Sequence, residues 1–170
     1  MRDISGIQPI TERGKRGMDI GIEAPDRARS AQAIKKLLAD TYALYLKTHG
    51  YHWNVEGPHF QQLHALFMEQ YTEMWTAVDE LAERIRALGH YAPSSYAEMA
   101  SVSSIAEETG RPDWREMVAN LAKGHEEVVR SAREVLRIAE EIGDDATADV
   151  VTPRITLHEK TAWMLRATGA

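Results

Sequence analysis

The sequence predicts an all-α fold: four long amphipathic helices, the first two joined by a short turn and the second and third by a long crossover carrying a short helix. Three observations carry that expectation. Apolar residues recur at alternating three- and four-residue spacings in four separate segments, the period of a single helix face. Glycine and proline punctuate the chain between those segments. The stretch 89–112 is far longer than a turn needs, and at up to about 3.3 Å per residue it can cross the full length of a bundle.

The elements follow in chain order. Residues 1–25 hold four glycines and two prolines with charges of both signs and no apolar period, so they read as a flexible N-terminal arm. The first helix runs from Asp26 into His52–Asn54 on a face of Ile34, Leu38, Thr41, Tyr45, Thr48 and His52. Glu56, Gly57 and Pro58 break it, with the proline suited to a first helical turn. Leu63, Phe67, Gln70, Met74, Ala77, Leu81, Ile85 and Leu88 define the second helix, which Gly89 ends. Pro93, Gly110 and Pro112 mark the crossover, with a short helix around Ser95 to Ala100. Asp113 and Glu116 stand in capping-box spacing ahead of the third helix, on Trp114, Val118, Leu121, His125, Val128, Ala132, Val135, Ala139 and Ile142, and Gly143 closes it. Asp144 or Asp145 caps the fourth, on Val151, Ile155, His158, Ala162 and Leu165, where Pro153 is expected to kink or delay the helix. One short link and one long crossover among four helices describe a ferritin-like four-helix bundle over residues 26–168.

A chain of 170 residues and 19.1 kDa is one domain's worth, long enough to bury a core without staples. Cysteine is absent, which excludes disulfides, thiolate metal sites and thiol catalysis. The apolar runs are short, so no membrane span or secretory signal is visible, and a cytoplasmic or nucleoid-associated protein is expected. A net charge of -6 opposes a globally basic nucleic-acid binder.

Four good transition-metal ligands, His52, His64, Asp79 and Glu83, fall in and beside the second helix. One chain cannot assemble them: His64 and Asp79 are 15 residues apart, roughly 22 Å along a straight helix, whereas ligands sit about 2.0 to 2.2 Å from a metal. If the same helix of a second chain lies antiparallel across a two-fold axis near Tyr71 and Thr72, His64 of one chain comes opposite Asp79 of the other, and two equivalent shared sites result. The ordinary reading of Asp79 and Glu83 is a solvated face salt-bridged to Arg84 or Arg86. Tyr71 and Trp75 on the same side of the helix favour a covered face, where carboxylates need a cation. Imidazoles mixed with carboxylates suit first-row metals such as Fe(II). His125 and His158 lie on core stripes and read as hydrogen-bonded core residues, while His49, His59 and His90 show no partner spacing.

The stretch YLKTHGYHWNVEGPHFQQLHALFMEQYTEMWTAVDELAERIRALG, residues 45–89, resembles the Dps family of mini-ferritins, the DNA-protection proteins of starved cells. The marks are the HWN at His52, the glycine five residues later, the second histidine 12 residues later and the DELAER run at Asp79–Arg84. HEKTAWML at His158–Leu165 is similar to the last helix of one bacterial subgroup, and the resemblance spans residues 18–168. It implies a hollow homododecamer built from two-fold dimers, a di-iron ferroxidase site with His52 and His64 from one subunit and Asp79 and Glu83 from its mate, hydrogen peroxide as the preferred oxidant, and a ferric oxide core inside. It also implies acid-lined three-fold pores, for which Asp149 is the candidate beside Asp144 and Asp145.

The chain departs from that family in two places. Met68 stands where most members have a carboxylate four residues after the second histidine, and a thioether suits Cu(I) better than iron. A copper-binding cage using Met68 is therefore one alternative, with copper or zinc as alternative metals, and simple packing of Met68 is another. Ala65 replaces an acidic residue that faces the cavity in many relatives, leaving Glu69 as a nucleating carboxylate. A chiefly DNA-compacting protein is the remaining alternative. Arg2, Arg13, Lys15 and Arg16 of the arm are cancelled by Asp3, Glu12, Asp19 and Glu23, so only multivalency of the arms supports it.

Overall fold

In the computed structural model, which describes residues 18–169, four long helices form an antiparallel bundle: α1 (Ala24–Asn54), α2 (Phe60–Ala87), α4 (Trp114–Ile142) and α5 (Asp145–Thr168). A seven-residue helix, α3 (Tyr96–Val102), rides on the crossover between α2 and α4. Most of the expected arm, residues 1–17, lies outside the described residues. α1 opens at Ala24, two residues ahead of the Asp26 boundary, because Pro25 fits its first turn. Pro58 sits in the turn ahead of α2, which opens at Phe60. No helix among the described residues is long and apolar enough to cross a membrane.

Local chemistry fixes the ends. The carboxylate of Asp113 accepts from the Glu116 N–H at 3.0 Å, the Ser95 hydroxyl from the Glu98 N–H at 3.2 Å, and Asp144 from the Thr147 N–H at 3.1 Å, so Asp144 is the residue that caps α5. Gly143 ends α4 at φ +70°, a left-handed conformation that glycine adopts without strain. Pro153 does not delay α5, which runs unbroken through it from Asp145. The ring lies on the solvent side, where the carbonyl that loses its partner is not buried.

The crossover sends α4 back to the end where α1 turns into α2: the Trp114 ring stands 4.6 Å from that of His59. Leu44 of α1 and Gly124 of α4 meet at mid-height so closely that a β-carbon on Gly124 would come within 2.5 Å of a Leu44 methyl. Ile34, Leu37, Leu38 and Leu44 pack with Leu63, Phe67, Met74 and Leu81, and with Leu121, Val128, Val151 and Leu165, into one core.

Three buried polar assemblies tie the helices together. Asp40 accepts from Lys36 Nζ at 2.7 Å, from the Ser103 hydroxyl at 3.0 Å, from the Ser104 N–H at 2.6 Å and from the Ser131 hydroxyl, pinning the crossover to α1 and α4. Asp144 binds the Arg84 guanidinium and accepts from the hydroxyls of Ser30 at 2.9 Å and Thr147 at 2.6 Å, locking α5 to α1 and α2. Burial alone would raise the Asp144 pKa. The Thr147 and Ser30 hydrogen bonds and the Arg84 charge outweigh burial and hold it below its ordinary value.

The third assembly bridges α2, α5 and α4. Arg154 binds Glu73 and donates to His158 Nε2 at 2.9 Å, and His158 Nδ1 lies 2.7 Å from His125 Nδ1. A guanidinium can only donate, so His158 carries its proton on Nδ1 and donates it to His125. Both imidazoles are therefore neutral. Burial drives the pKa of each down, that of His125 to about 3, with the Arg154 charge acting in the same direction. Both fulfil their reading as hydrogen-bonded core residues.

Asp144→Ala is expected to lower stability by about 3–5 kcal/mol, because it strands the Arg84 charge as well as removing a cap; denaturant unfolding measures it. The histidine pair sets a pH dependence. An unfolded chain takes up protons below the ordinary histidine pKa of 6.5 that the folded pair refuses. Stability is thus complete above that value and falls as the pH drops, by up to ~1.4 kcal/mol per pH unit for each histidine. Unfolding midpoints between about pH 6.5 and 5, above the carboxylate range, are expected to fall in the wild type and to fall less in His125→Gln.

Candidate metal centre

The turn joining α1 to α2 needs glycine. Gly57 has φ +104°, and a β-carbon there would stand 3.4 Å from the Trp114 ring. The tight reversal brings the last turn of α1 against the second turn of α2, and with it His52 against His64. Their rings stack with centroids 3.7 Å apart and planes inclined by 20°.

Hydrogen bonding fixes both tautomers. His52 Nδ1 donates to the carbonyl of His64 at 2.8 Å, and His64 Nδ1 donates to the carbonyl of His52 at 2.9 Å. A carbonyl oxygen cannot donate, so each ring carries its proton on Nδ1 and leaves Nε2 with a free lone pair. Metal-binding imidazoles are commonly held this way, by an N–H on the far nitrogen donated to a carbonyl or carboxylate. His52 is 8% exposed and His64 half-buried, so the rings are braced by the protein and open on one side.

Asp79 and Glu83 lie farther along α2 and are exposed. Their solvated reading called for Arg84 or Arg86 as partners. Arg84 is committed instead to Asp144 and to the Thr147 hydroxyl at 2.8 Å, while Arg86 donates to the His90 carbonyl and lies over the Tyr91 ring. Among the described residues neither carboxylate has an ion-pair partner. Nor, among the described residues of one chain, do three histidine, aspartate or glutamate side chains converge into a metal site. The protomer brings the two histidines together and leaves the two carboxylates apart from them.

Between the halves lies an aromatic face. Trp75 is 59% exposed and Trp53 63% exposed, with Tyr71 and Tyr45 half-buried beside them. His49, for which the sequence offered no partner, belongs here. Its ring stacks on Tyr71 at 3.9 Å and lies 4.2 Å from that of Trp53, and its Nδ1 is 3.2 Å from the Tyr45 hydroxyl. The i, i+3 and i, i+4 relations of His49 to His52 and Tyr45 were the available signal. Burial, with His52 nearby, lowers the His49 pKa. Met68 is 45% exposed, one turn beyond His64, and Glu69 next to it is exposed. Asp145 and Asp149 form an exposed i, i+4 acid pair at the start of α5.

The chain resembles proteins whose families are established. A family model described as a ferritin-like domain matches residues 31–169. The DNA protection during starvation protein 2 of Bacillus anthracis is 38% identical over 136 residues, spanning 80% of this chain and 93% of that protein. The Dps protein of Vibrio cholerae O1, described as a member of a broad superfamily of ferritin-like diiron-carboxylate proteins, superposes with a TM-score of 0.85 at 34% identity, covering 91% of this chain and 98% of that one. A Dps protein of Bacillus brevis superposes with a TM-score of 0.82 at 33% identity, over 86% of this chain and 99% of its own. With four long helices, one long crossover and a histidine pair at the first turn, this chain belongs to the Dps family of ferritin-like proteins.

Proposed function

We propose that this protein is a ferroxidase and iron store: it oxidises Fe(II), preferably with hydrogen peroxide, at sites shared between two-fold-related subunits, and holds Fe(III) inside a hollow dodecamer. The observation that carries the reading is the reciprocal clasp of His52 and His64, which leaves both Nε2 lone pairs free with, among the described residues, no acidic group of the same chain converging on them to form a metal site. Asp79 and Glu83 of the two-fold mate are the proposed anions. Their lack of an ion-pair partner in the protomer supports this, as does the exposed aromatic strip that a second copy of α2 would cover. Iron-binding relatives of the ferritin-like superfamily support the choice of metal.

In this reading His52 and His64 are neutral ligands, Glu83 is the stronger anionic ligand and Asp79 a second anchor. Two Fe(II) ions held close together deliver two electrons to one peroxide, and the O–O bond is cleaved without release of hydroxyl radical. Asp149 is proposed to line the pore through which Fe(II) enters. Copper as the working metal rests on Met68 alone, no residue favours zinc, and we retain iron. DNA compaction would reside in Lys15 and Arg16, which lie outside the described residues.

His52→Ala combined with Glu83→Ala is expected to abolish rapid peroxide-dependent Fe(II) oxidation while the cage still assembles. Loss of the hydrogen bond donated by His52 costs about 1 kcal/mol, and loss of the exposed carboxylate stays within about 0.5 kcal/mol. Stopped-flow absorbance with sedimentation of the same samples checks both, and a wild-type rate in the double variant would place the chemistry elsewhere. Met68→Leu is expected to leave iron oxidation unchanged, whereas Met68→Asp supplies the missing anionic oxygen and tightens Fe(II) binding. Equilibrium titration with Fe(II) and Cu(I) separates these outcomes from a copper site, which Met68→Leu would weaken.

A further inference from the structure

Arg154 stands at a place that the atoms around it suit to a metal ion. A single nitrogen of its guanidinium, Nη2, donates to Glu73 Oε2 at 2.8 Å and to His158 Nε2 at 2.9 Å. Carboxylate oxygen and imidazole nitrogen are ligands of first-row metals. Their usual bond lengths are about 2.0–2.2 Å, so a cation at the Nη2 position needs each ligand to close by only roughly 0.7–0.8 Å. The imidazole is prepared for that role. His158 Nδ1 donates to His125 Nδ1 at 2.7 Å, which fixes the tautomer and turns the Nε2 lone pair towards the cation. Burial keeps the ring neutral by driving its pKa well below the ordinary value. Glu73 lies on α2 and His158 on α5, so the fold assembles the pair and no sequence spacing displays it.

An ion pair that served only to tie two helices would use its buried donors. This one does not: Arg154 Nε is buried without a partner, and Gln70, one turn before Glu73 on α2, is buried with both amide atoms unpartnered. Such atoms are costly to leave unfilled, and the amide oxygen is a further hard ligand. The place is also open to ions, because the Glu73 side chain is 34% exposed while that of Arg154 is 8% exposed. The geometry points to Arg154 as a resident cation that keeps a second donor set, Glu73 and His158 with Gln70 beside them, closed to metal. Its guanidinium is charged at any physiological pH and belongs to the chain. A divalent ion arriving from solvent therefore finds these ligands taken, and the free Nε2 lone pairs of His52 and His64 are left as the imidazole ligands it can reach. The assignment does not depend on the ferroxidase reading, because it concerns where a divalent ion binds and not what the ion then does.

The test is Co(II) binding to the full chain in a background of His52→Ala with His64→Ala, which removes the imidazoles of the shared centre. With Arg154 present, no Co(II) is expected inside the bundle. Arg154→Ala is expected to take up a further Co(II) ion in each chain, with the visible absorption of a nitrogen- and oxygen-ligated ion. Its unfolding temperature should rise as Co(II) is added, since an ion that binds only the folded state stabilises it. Both effects should vanish when Glu73→Gln or His158→Gln is combined with Arg154→Ala. Equal uptake with and without Arg154, or added uptake that survives His158→Gln, overturns the assignment. So does the absence of added binding in both Arg154→Ala and Arg154→Gln, the second variant keeping most of the side-chain volume in case the first unfolds. Failure of both to fold even with Co(II) present counts the same way, because an ion at these ligands would restore the missing charge. The ferroxidase reading is read separately, from Fe(II) oxidation by the protein with Arg154, His52 and His64 intact.

Discussion

Two N–H groups set the character of this protein's distinctive face. Each imidazole of the His52–His64 pair donates from Nδ1 to the main-chain carbonyl beside the other, so neither ring can rotate or change tautomer without losing a hydrogen bond. The clasp spans the α1–α2 turn, and the same two bonds that join the helix ends also aim both Nε2 lone pairs. A fixed N–H on the far nitrogen makes imidazole a better ligand as well as a better oriented one. Structure and chemistry here rest on the same atoms.

The clasp works only if the helices that carry it are held in register, and that is the task of the buried polar assemblies. Asp144 gathers the N-terminus of α1, the C-terminus of α2 and the start of α5 at one end of the bundle. Asp40 fastens the crossover midway. The Glu73–Arg154–His158–His125 chain ties α2 to α5 and α5 to α4. Asp40 and Asp144 each accept several hydrogen bonds, the condition under which burial of charge is tolerable, whereas Arg154 Nε and His125 Nε2 in the third assembly are buried without a partner. Together they spend Arg84, the nearest cation to Glu83 in sequence, on the scaffold. Among the described residues Asp79 and Glu83 are left without an ion-pair partner.

Much of the architecture was legible in the chain because it is written in local signals. Four helix faces, the Asp113 and Asp144 caps, the Gly143 stop and the turn at Gly57 are all short-range patterns, and each appears where its pattern stands. Pro153 shows the limit of such signals: a lone proline on the solvent face of a long, well-packed helix is outvoted by the core on the other side. The pairing of His52 with His64 was readable because a short turn lies between them. Their carbonyl partners were not, since which nitrogen of a histidine is bonded depends on backbone placement that no spacing encodes. His49 was missed for a related reason, because its neighbours Tyr71 and Trp53 reach it through the fold of the turn. The buried chain from Glu73 to His125 joins residues 52 positions apart, and sequence offered only two histidines on core stripes.

Completion of the metal centre by a second subunit can be seen in a crystal structure of the assembled protein soaked with Fe(II) without oxidant, using anomalous scattering at the iron edge. A shared site places anomalous density on the two-fold interface, about 2.0–2.2 Å from Nε2 of His52 or His64 and from a carboxylate oxygen of Asp79 or Glu83 of the partner subunit. Ordered iron bound within a single bundle, with the histidine pair and the partner carboxylates bare, would contradict it.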